Sequence, residues 1–544
     1  MSTAPPPRLS PWAPLKHRIF LALFVAQLAS NIGTLMQSVG SAWLMGDLHG
    51  SATLVALVQT AAFLPVFVVG IPSGALADVV DRRRLLLASQ ALMMVAALAL
   101  TVQAFAHAVT PASLLALTAA LGLGTALNGP AWQAIQPDLV PKREFSQALA
   151  LGALTYNVGR AIGPALGGLV LATLGPPWVF AINAVSFLGT LVVLGAWRQA
   201  PAESRLPAET LAGATRAALR YGINAPLLRS VLVRVALLMF PAAALQALLP
   251  VVVRDSLGLG SGAYGILLGC FGAGAAIAAV VRPRLEERFS PDGLVVLATV
   301  LIAAGLFADG YVRQPVAVGV GLFIAGVGWT TAFTTTNVAA QSTLAAWVRA
   351  RGMGLYMLVL TGGVAIGSAA WGALAQWNLD VTHAVAGTAL LLGLLAGRSR
   401  PLDAIAGVDV TPVSSDDPVV TLMPGHTDGP VLVTASYRVP PEQMSTFVTA
   451  MRAVEAHRRR TGAYQWGLFR DLADPDRFVE TFVVGSWGEH LRQHQRATTS
   501  SDARLGVVRA YRDADVRVNH LLSAYSAGAL DPVDVRPPLQ DEPL

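Results

Sequence analysis

Arginine is a poor guest in an apolar segment, yet Arg160 stands inside the run NVGRAIGPALGG (Asn157 to Gly168). A guanidinium at membrane depth is costly unless it faces a cavity or a partner. Its chemistry therefore points to an anion, either a substrate's or a proton-linked carboxylate. Around it, Gly159, Gly163, Gly167 and Gly168 let helices approach closely, and Pro164 bends the segment. A second constellation is GALADVVDRRR, in which Gly74, Asp78, Asp81, Arg82 and Arg83 stand at Gly-x-x-x-Asp-x-x-Asp-Arg-Arg spacing. Asp78 can accept hydrogen bonds from helix ends, while Arg82 and Arg83 can pair with carboxylates, which makes a latch for one side of a moving bundle. The corresponding later loop, VVRPRLEERFS, keeps charge but lacks the glycine and the aspartate.

Other polar side chains in apolar runs could line a cavity: Asn31, Gln37, Asn128, Trp132, Tyr156, Asn157, Asn337, Gln341 and Tyr356. Such a mixed lining suits a bulky, partly polar organic molecule better than a bare ion. Carboxylates are scarce there. Asp47 and Asp309 fall at the ends of apolar runs, and Asp47 is the candidate proton site. Near the C-terminus, His490 and His494 have the i, i+4 spacing of metal ligands, but no third ligand has matching spacing. Together with His457 and Arg458 to Arg460 they read as a solvated face, so no metal, cofactor or catalytic constellation is expected. The lone cysteine, Cys270, excludes a disulfide within the chain and a cysteine metal cluster.

The elements that must position these residues are apolar helices. Of 544 residues, 54% are hydrophobic and 13% charged, and mean hydropathy is +0.56. A soluble domain carries about 25% charge, which rules out disorder and argues against a purely soluble enzyme. Runs long enough to span a bilayer recur at 19–45, 52–76, 85–107, 111–134, 146–172, 178–197, 230–253, 262–281, 293–312, 315–338, 352–374 and 380–397. An offset of 204 places Gly124 on Gly328, Gly159 on Gly363, Gly163 on Gly367 and Gly168 on Gly372. Two six-helix pseudo-repeats are thus expected, with a substrate cavity between them. Cations concentrate in alternate loops, leaving only Arg254 and Arg313 in the others, which places both termini in the cytoplasm. The net charge of +6 divides into +11 over residues 1–400 and −5 over 401–544. The basic balance therefore reports topology and gives no support to nucleic-acid binding.

The tail changes character. After a polar linker, its hydrophobic alternation gives the order β-α-β-β-α-β, which is the ferredoxin-like plan. The expected organisation is a disordered N-terminus (1–18), a six-helix bundle (19–197), a cytoplasmic linker (198–229), a second bundle (230–400), a linker (401–429), an α+β domain (430–526) and a disordered end (527–544).

The Gly74–Arg84 loop resembles the signature loop of the major facilitator superfamily, and Gly159–Gly168 resembles the antiporter motif of its drug–proton exporters. With NIGTLMQSVGSAWLM and PAWQAIQPDLVPKREFSQALAL, the chain is similar to the transmembrane secretion effector branch, which includes enterobactin-type siderophore exporters. The tail resembles the antibiotic-biosynthesis monooxygenases. The resemblance implies a non-enzymatic, multi-pass exporter in the plasma (inner) membrane. It would move a siderophore, drug or secondary metabolite by alternating access, coupled to protons. The chain departs from the drug antiporters in lacking the arginine of helix four. Two alternatives are a membrane-tethered monooxygenase-like enzyme and a transporter-derived sensor. The expected partners are a small-molecule substrate and the lipid bilayer, with a homodimer through the tail also open.

Overall fold

A computed structural model of the protein describes residues 10–48, 50–197, 221–345, 348–397, 402, 420, 424–496, 499, 506, 508–511 and 518–524. Of the N-terminus expected to be disordered (1–18), residues 1–9 lie outside the described residues, whereas 10–18 include a short 3-10 helix, Ala13–Lys16, and His17 bonded to Glu144 at 2.9 Å. The expected disordered end (527–544) and most of both linkers lie outside the described residues. The chain divides into two compact units. The first comprises Met1–Ala212, Ser230–Ala339 and Gly354–Asp403; the second comprises Gly213–Arg229, Ala340–Met353 and Ala404–Leu544.

The first unit is helical. The helices that lie in it wholly or for most of their length are α1 (Arg18–Asp47), α2 (Ala52–Val79), α3 (Arg82–Phe105), α4 (Pro111–Leu139), α5 (Phe145–Thr173) and α6 (Pro176–Ala196), followed by α7 (Pro226–Val251), α8 (Ser261–Glu286), α9 (Pro291–Tyr311), α10 (Pro315–Ser342), α11 (Arg349–Ala375) and α12 (Leu379–Gly397). Among the described residues, eleven helices are long and apolar enough to cross a membrane. The exception is α5, as long as its neighbours at 29 residues but interrupted by Tyr156, Asn157 and Arg160. Helix starts follow local chemistry. Ser51 caps α2, Asp81 caps α3 and Ser290 caps α9 through side-chain oxygens. Thr110 and Ser113 form a reciprocal capping box at α4. Between α5 and α6 the turn needs a left-handed residue, and Gly175 supplies it at φ 88°.

The glycines matched by the offset make matching contacts. Gly159 and Gly163 lie against α1 at Asn31 and Leu35, and Gly363 and Gly367 lie against α7 at Met239 and Phe240. Gly124 meets Met93 of α3, and Gly328 meets Ala298 of α9. At each, an added methyl group would press on the neighbouring helix, most tightly at Gly124, Gly328 and Gly367.

In the second unit, β1 (Val431–Arg438), β2 (Gln465–Arg470), β3 (Arg477–Val484) and β4 (Asn519–Leu522) form one antiparallel sheet in the order β2-β3-β1-β4. Helices α13 (Met444–Thr461) and α14 (Trp487–Gln495) complete the order read from the sequence. Alternate residues of β1 and β3 bury Val431, Val433, Tyr437, Phe478, Phe482 and Val484 beside Phe447, Met451 and Trp487. The opposite face keeps Phe469 and Leu521 exposed.

Candidate functional site

Helix α5 carries the centre of the site. One of its faces, Gly159, Gly163 and Gly167, lies against Asn31, Leu35 and Met36 of α1. A second face meets α8 in a seam of small residues. Gly262, Gly265 and Gly269 lie against Ala172, Gly168 and Ala165, and Gly272 lies against Ala161 and the Arg160 carbonyl. A Cβ on Gly168 would fall 2.4 Å from Gly265 Cα, so backbone touches backbone. Helices α2 and α11 meet in the same way. Thr53 and Thr60 donate to the carbonyls of Gly372 and Ala365, each at 2.9 Å, and a Cβ on Gly372 would lie 2.5 Å from Ala56 Cβ.

Both seams run toward the end of the bundle where α1 stops and α2 starts. At that end Asp47 pairs with Arg254. The Arg254 guanidinium lies 4.6 Å from the centre of the Trp43 ring, which stacks on Tyr264 at 5.9 Å. Asp47 is therefore an ion-pair partner tying α1 to the end of α7. Arg313, the other cation of those loops, pairs with Asp380 at 2.7 Å.

Arg160 sits at the opposite end of the α5–α8 seam, beside Gly272. Its guanidinium lies 5.5 Å from the ring centres of both Phe271 (α8) and Trp329 (α10), and those rings meet edge to face at 5.9 Å. Among the described residues no carboxylate pairs with it. Stacking on π faces leaves the N–H fork of an arginine available for an anion. One turn toward the N-terminus of α5, Tyr156 and Asn157 are exposed. The seam thus ends in a cation, followed by open polar surface.

The remaining cavity residues divide. Asn31 donates to Thr155 at 3.2 Å and accepts from Gln27 at 3.0 Å, and Asn128 accepts from Gln90 at 3.1 Å. Trp132 is half-buried beside a pocket that also includes Gln27 and Thr155. Asn337 is half-buried and Gln341 exposed. Gln37 is buried and accepts from Asn183. Tyr356 is wholly buried and hydrogen-bonded to Thr336 at 3.0 Å. These last two join helices together, where the sequence reading has them lining a cavity. An amide or phenol in an apolar run is as readily a helix fastener as a lining group.

The signature loop is seen in part, since the surroundings of Gly74 and the side chain of Asp78 lie outside what the structure describes. Asp81 accepts from the Arg84 amide at 2.8 Å as the cap of α3. Arg83 donates to the carbonyls of Leu194 (2.8 Å) and Gly195 (2.7 Å) at the end of α6, where the expectation was a carboxylate. A cation at a helix C-terminus satisfies orphan carbonyls and the helix dipole together. Arg234 does the same for α12 through Gly397 (2.7 Å) and also pairs with Asp292.

Three features escaped sequence reasoning. The α8 stripe Gly262, Gly265, Gly269 and Gly272 was present in the sequence but indistinguishable from ordinary small-residue packing. Asp309, taken for a helix-end residue, is 1% exposed, and neither carboxylate oxygen has a partner among the described residues. In the second unit His490 is also 1% exposed, which overturns the solvated-face reading, and His520 of β4 joins it and His494. Burial, followed by the charges of His494, His520 and Arg458, lowers the His490 imidazole to about 3, with the nearby Gln493 amide pulling the other way. Beside them, Glu480 is wholly buried. It accepts from Arg458 (3.0 Å), Tyr437 (2.8 Å) and Trp466 (3.1 Å). Burial alone would raise its pKa, but the Arg458 charge and these donors hold it below the ordinary carboxylate value.

Comparison with known proteins follows this geometry. The profile of the family described as transmembrane secretion effector matches residues 9–527. The chain is 27% identical over 385 residues to the enterobactin exporter EntS of Salmonella typhimurium, covering 70% of this chain and 91% of that one. It is 28% identical over 165 residues to the staphyloferrin A transporter of Staphylococcus aureus, covering 30% and 42%. Among solved structures, the nucleoside transporter NupG aligns with TM-score 0.57 at 11% identity, covering 70% and 99%. A bacterial homologue of the iron transporter ferroportin in an inward-facing state aligns with TM-score 0.54 at 18% identity, covering 70% and 98%. These relatives are transporters rather than enzymes, and eleven apolar helices make this an integral membrane protein. With a major-facilitator-like fold and a profile match along nearly its whole length, the chain belongs to the transmembrane secretion effector family.

Proposed function

We propose that this protein is a secondary exporter of an anionic siderophore or related metabolite, working by alternating access in the plasma membrane. In this reading α5 is the twelfth span, too polar to face lipid because it lines the path. Two six-helix repeats (19–197 and 230–400) rock about the α5–α8 and α2–α11 seams, with both termini cytoplasmic. The matching glycine contacts support the repeat, and the seams support a state closed at the outer end and open inward.

The observation that carries the reading is Arg160. It is a guanidinium between two aromatic faces, without a carboxylate partner among the described residues, where the seam gives way to Tyr156 and Asn157. A polyanionic chelator would meet it with charge-assisted hydrogen bonds. Proton coupling then needs an acid. Asp309, buried and unpartnered among the described residues, fits that role better than Asp47, which is engaged by Arg254. Residues 430–526 act as a regulatory or dimerising domain. The exposed Phe469 and Leu521 on the open sheet face support association, and within the second unit Arg460 lies over the Tyr221 ring at 5.8 Å.

Calorimetry on the full chain in detergent tests the site. An iron-free anionic siderophore should bind, while its neutral methyl ester and the Arg160→Ala variant should give little heat. Equal affinity for acid and ester would remove Arg160 from substrate recognition.

A further inference from the structure

We propose that His490, His494 and His520 hold one divalent late transition-metal ion of the zinc class, fastening β4 to α14. The site is distinct from the transport path and does not depend on the transport reading. His490 and His494 stand one turn apart on α14, and His520 faces them from β4, where the register sets it beside Val433. One ring nitrogen from each lies within 4.8 Å of the others. Tetrahedral zinc, with bonds of about 2.0–2.1 Å to imidazole nitrogens, needs these atoms somewhat closer. The half-buried rings of His494 and His520 can turn inward to close that gap.

The second observation is independent of spacing. His490 is 1% exposed, and apart from the Gln493 amide beside it neither Nδ1 nor Nε2 has a hydrogen-bond partner among the described residues. A buried polar group without a partner is rare and calls for an explanation such as a bound ion. Hydrophobic walls complete the pocket. The Trp487 ring lies 5.5 Å from that of His490 and 6.0 Å from that of His520, and Phe482 lies 6.4 Å from His490. Gln493 is buried with its Oε1 unpartnered among the described residues, a side-chain carbonyl suited to orienting a ligating imidazole. Three imidazoles favour Zn, Ni, Cu, Co or Fe(II) over Mg or Ca, which prefer oxygen. Three ligands also leave one tetrahedral position for water. Among the described residues β4 pairs with β1 over four positions, and a metal linking it to α14 would secure the edge of the sheet.

The test uses the full chain, purified in detergent through a tag without histidines, stripped with chelator, and titrated with Co2+ and Zn2+. The expected result is one ion per chain, with visible tetrahedral Co2+ bands displaced by Zn2+. Hydrogen exchange in β4 should slow when Zn2+ is added. His490→Gln and the His494→Gln/His520→Gln pair should lose the ion, whereas His426→Gln and His457→Gln should keep it. Gln493→Leu should weaken binding by about 10- to 100-fold. His494→Cys guards against misfolding by keeping a ligand, and should add a sulfur-to-cobalt charge-transfer band. Absence of stoichiometric binding in the wild type, or binding unchanged by the His490 and His494/His520 substitutions, would overturn the proposal. So would a His494→Cys protein that binds Co2+ without the new band.

Discussion

Replacing Gly265 by alanine tests the seam on which rocking would depend. The new Cβ would lie 2.5 Å from Gly168 Cα, 3.0 Å from its nitrogen and 3.1 Å from the Pro164 carbonyl oxygen. Carbon atoms in good contact stand about 3.5–4.0 Å apart, so the two backbones must part by about 1 Å. Overpacking of this kind costs about 1–3 kcal/mol. The cost falls on the sealed arrangement, because an opened seam has room for the methyl group. The sealed population should therefore drop by about 5- to 150-fold relative to the opened one. Cys270 is the only cysteine, so Cys270→Ser gives a background for spin labels at Ala108→Cys, in the exposed loop before α4, and Asp255→Cys, exposed in the helical turn that follows α7. Pulsed dipolar distances should gain a longer component in Gly265→Ala. Gly195→Ala should leave them unchanged, since its Cβ would meet nothing within 4 Å. Identical distance distributions in correctly inserted Gly265→Ala protein would refute the seam as a moving contact.

Other consequences are as direct. Asp309→Asn should keep or raise thermal stability by about 1–3 kcal/mol, because it removes a buried carboxylate without a partner among the described residues, and it should abolish stimulation of transport by a pH gradient; a clear loss of stability would deny that environment. Glu480→Gln should destabilise the second unit by about 3–5 kcal/mol, since it strands Arg458, read by hydrogen exchange in β1 and β3. The Glu480 pKa is depressed on folding, so its contribution is present above the unfolded carboxylate value and is lost as pH falls through the folded one; protection factors, that is exchange rates corrected for the intrinsic rate at each pH, should fall in acid for the wild type and show a weaker acid dependence in Glu480→Gln. Deleting residues 425–544 should leave measurable transport in vesicles, and complete loss with normal insertion would show that the helical unit needs the tail.

What the sequence made legible was local or periodic. Spans of apolar residues give the helices to within a few residues, and Gly159, Gly163, Gly363 and Gly367 announce close packing because a glycine stripe has few other uses in a membrane helix. The alternation in 431–439 and 477–484 likewise gives β1 and β3. What stayed hidden depends on long-range partners. Asp47 and Arg254 are 207 positions apart, and nothing local marks them as a pair. His520 reaches His490 only because β4 adds to the far side of β1, a register that spacing along the chain does not encode. Arg83 offers the same donors to a carboxylate or to the end of α6, so its partner awaited the packing of α3 on α6. The prominence of Arg160, in contrast, was visible from one charged letter in an apolar run, and the fold adds its aromatic walls.

The central claim is that an anion crosses the membrane past Arg160. Proteoliposomes loaded with an iron-free carboxylate siderophore, holding wild type, Arg160→Ala or Arg460→Ala and subjected to an imposed pH gradient, test it most directly. The account predicts gradient-driven movement by wild type and Arg460→Ala, and movement at the protein-free rate by Arg160→Ala. Transport by Arg160→Ala equal to that of wild type would contradict it.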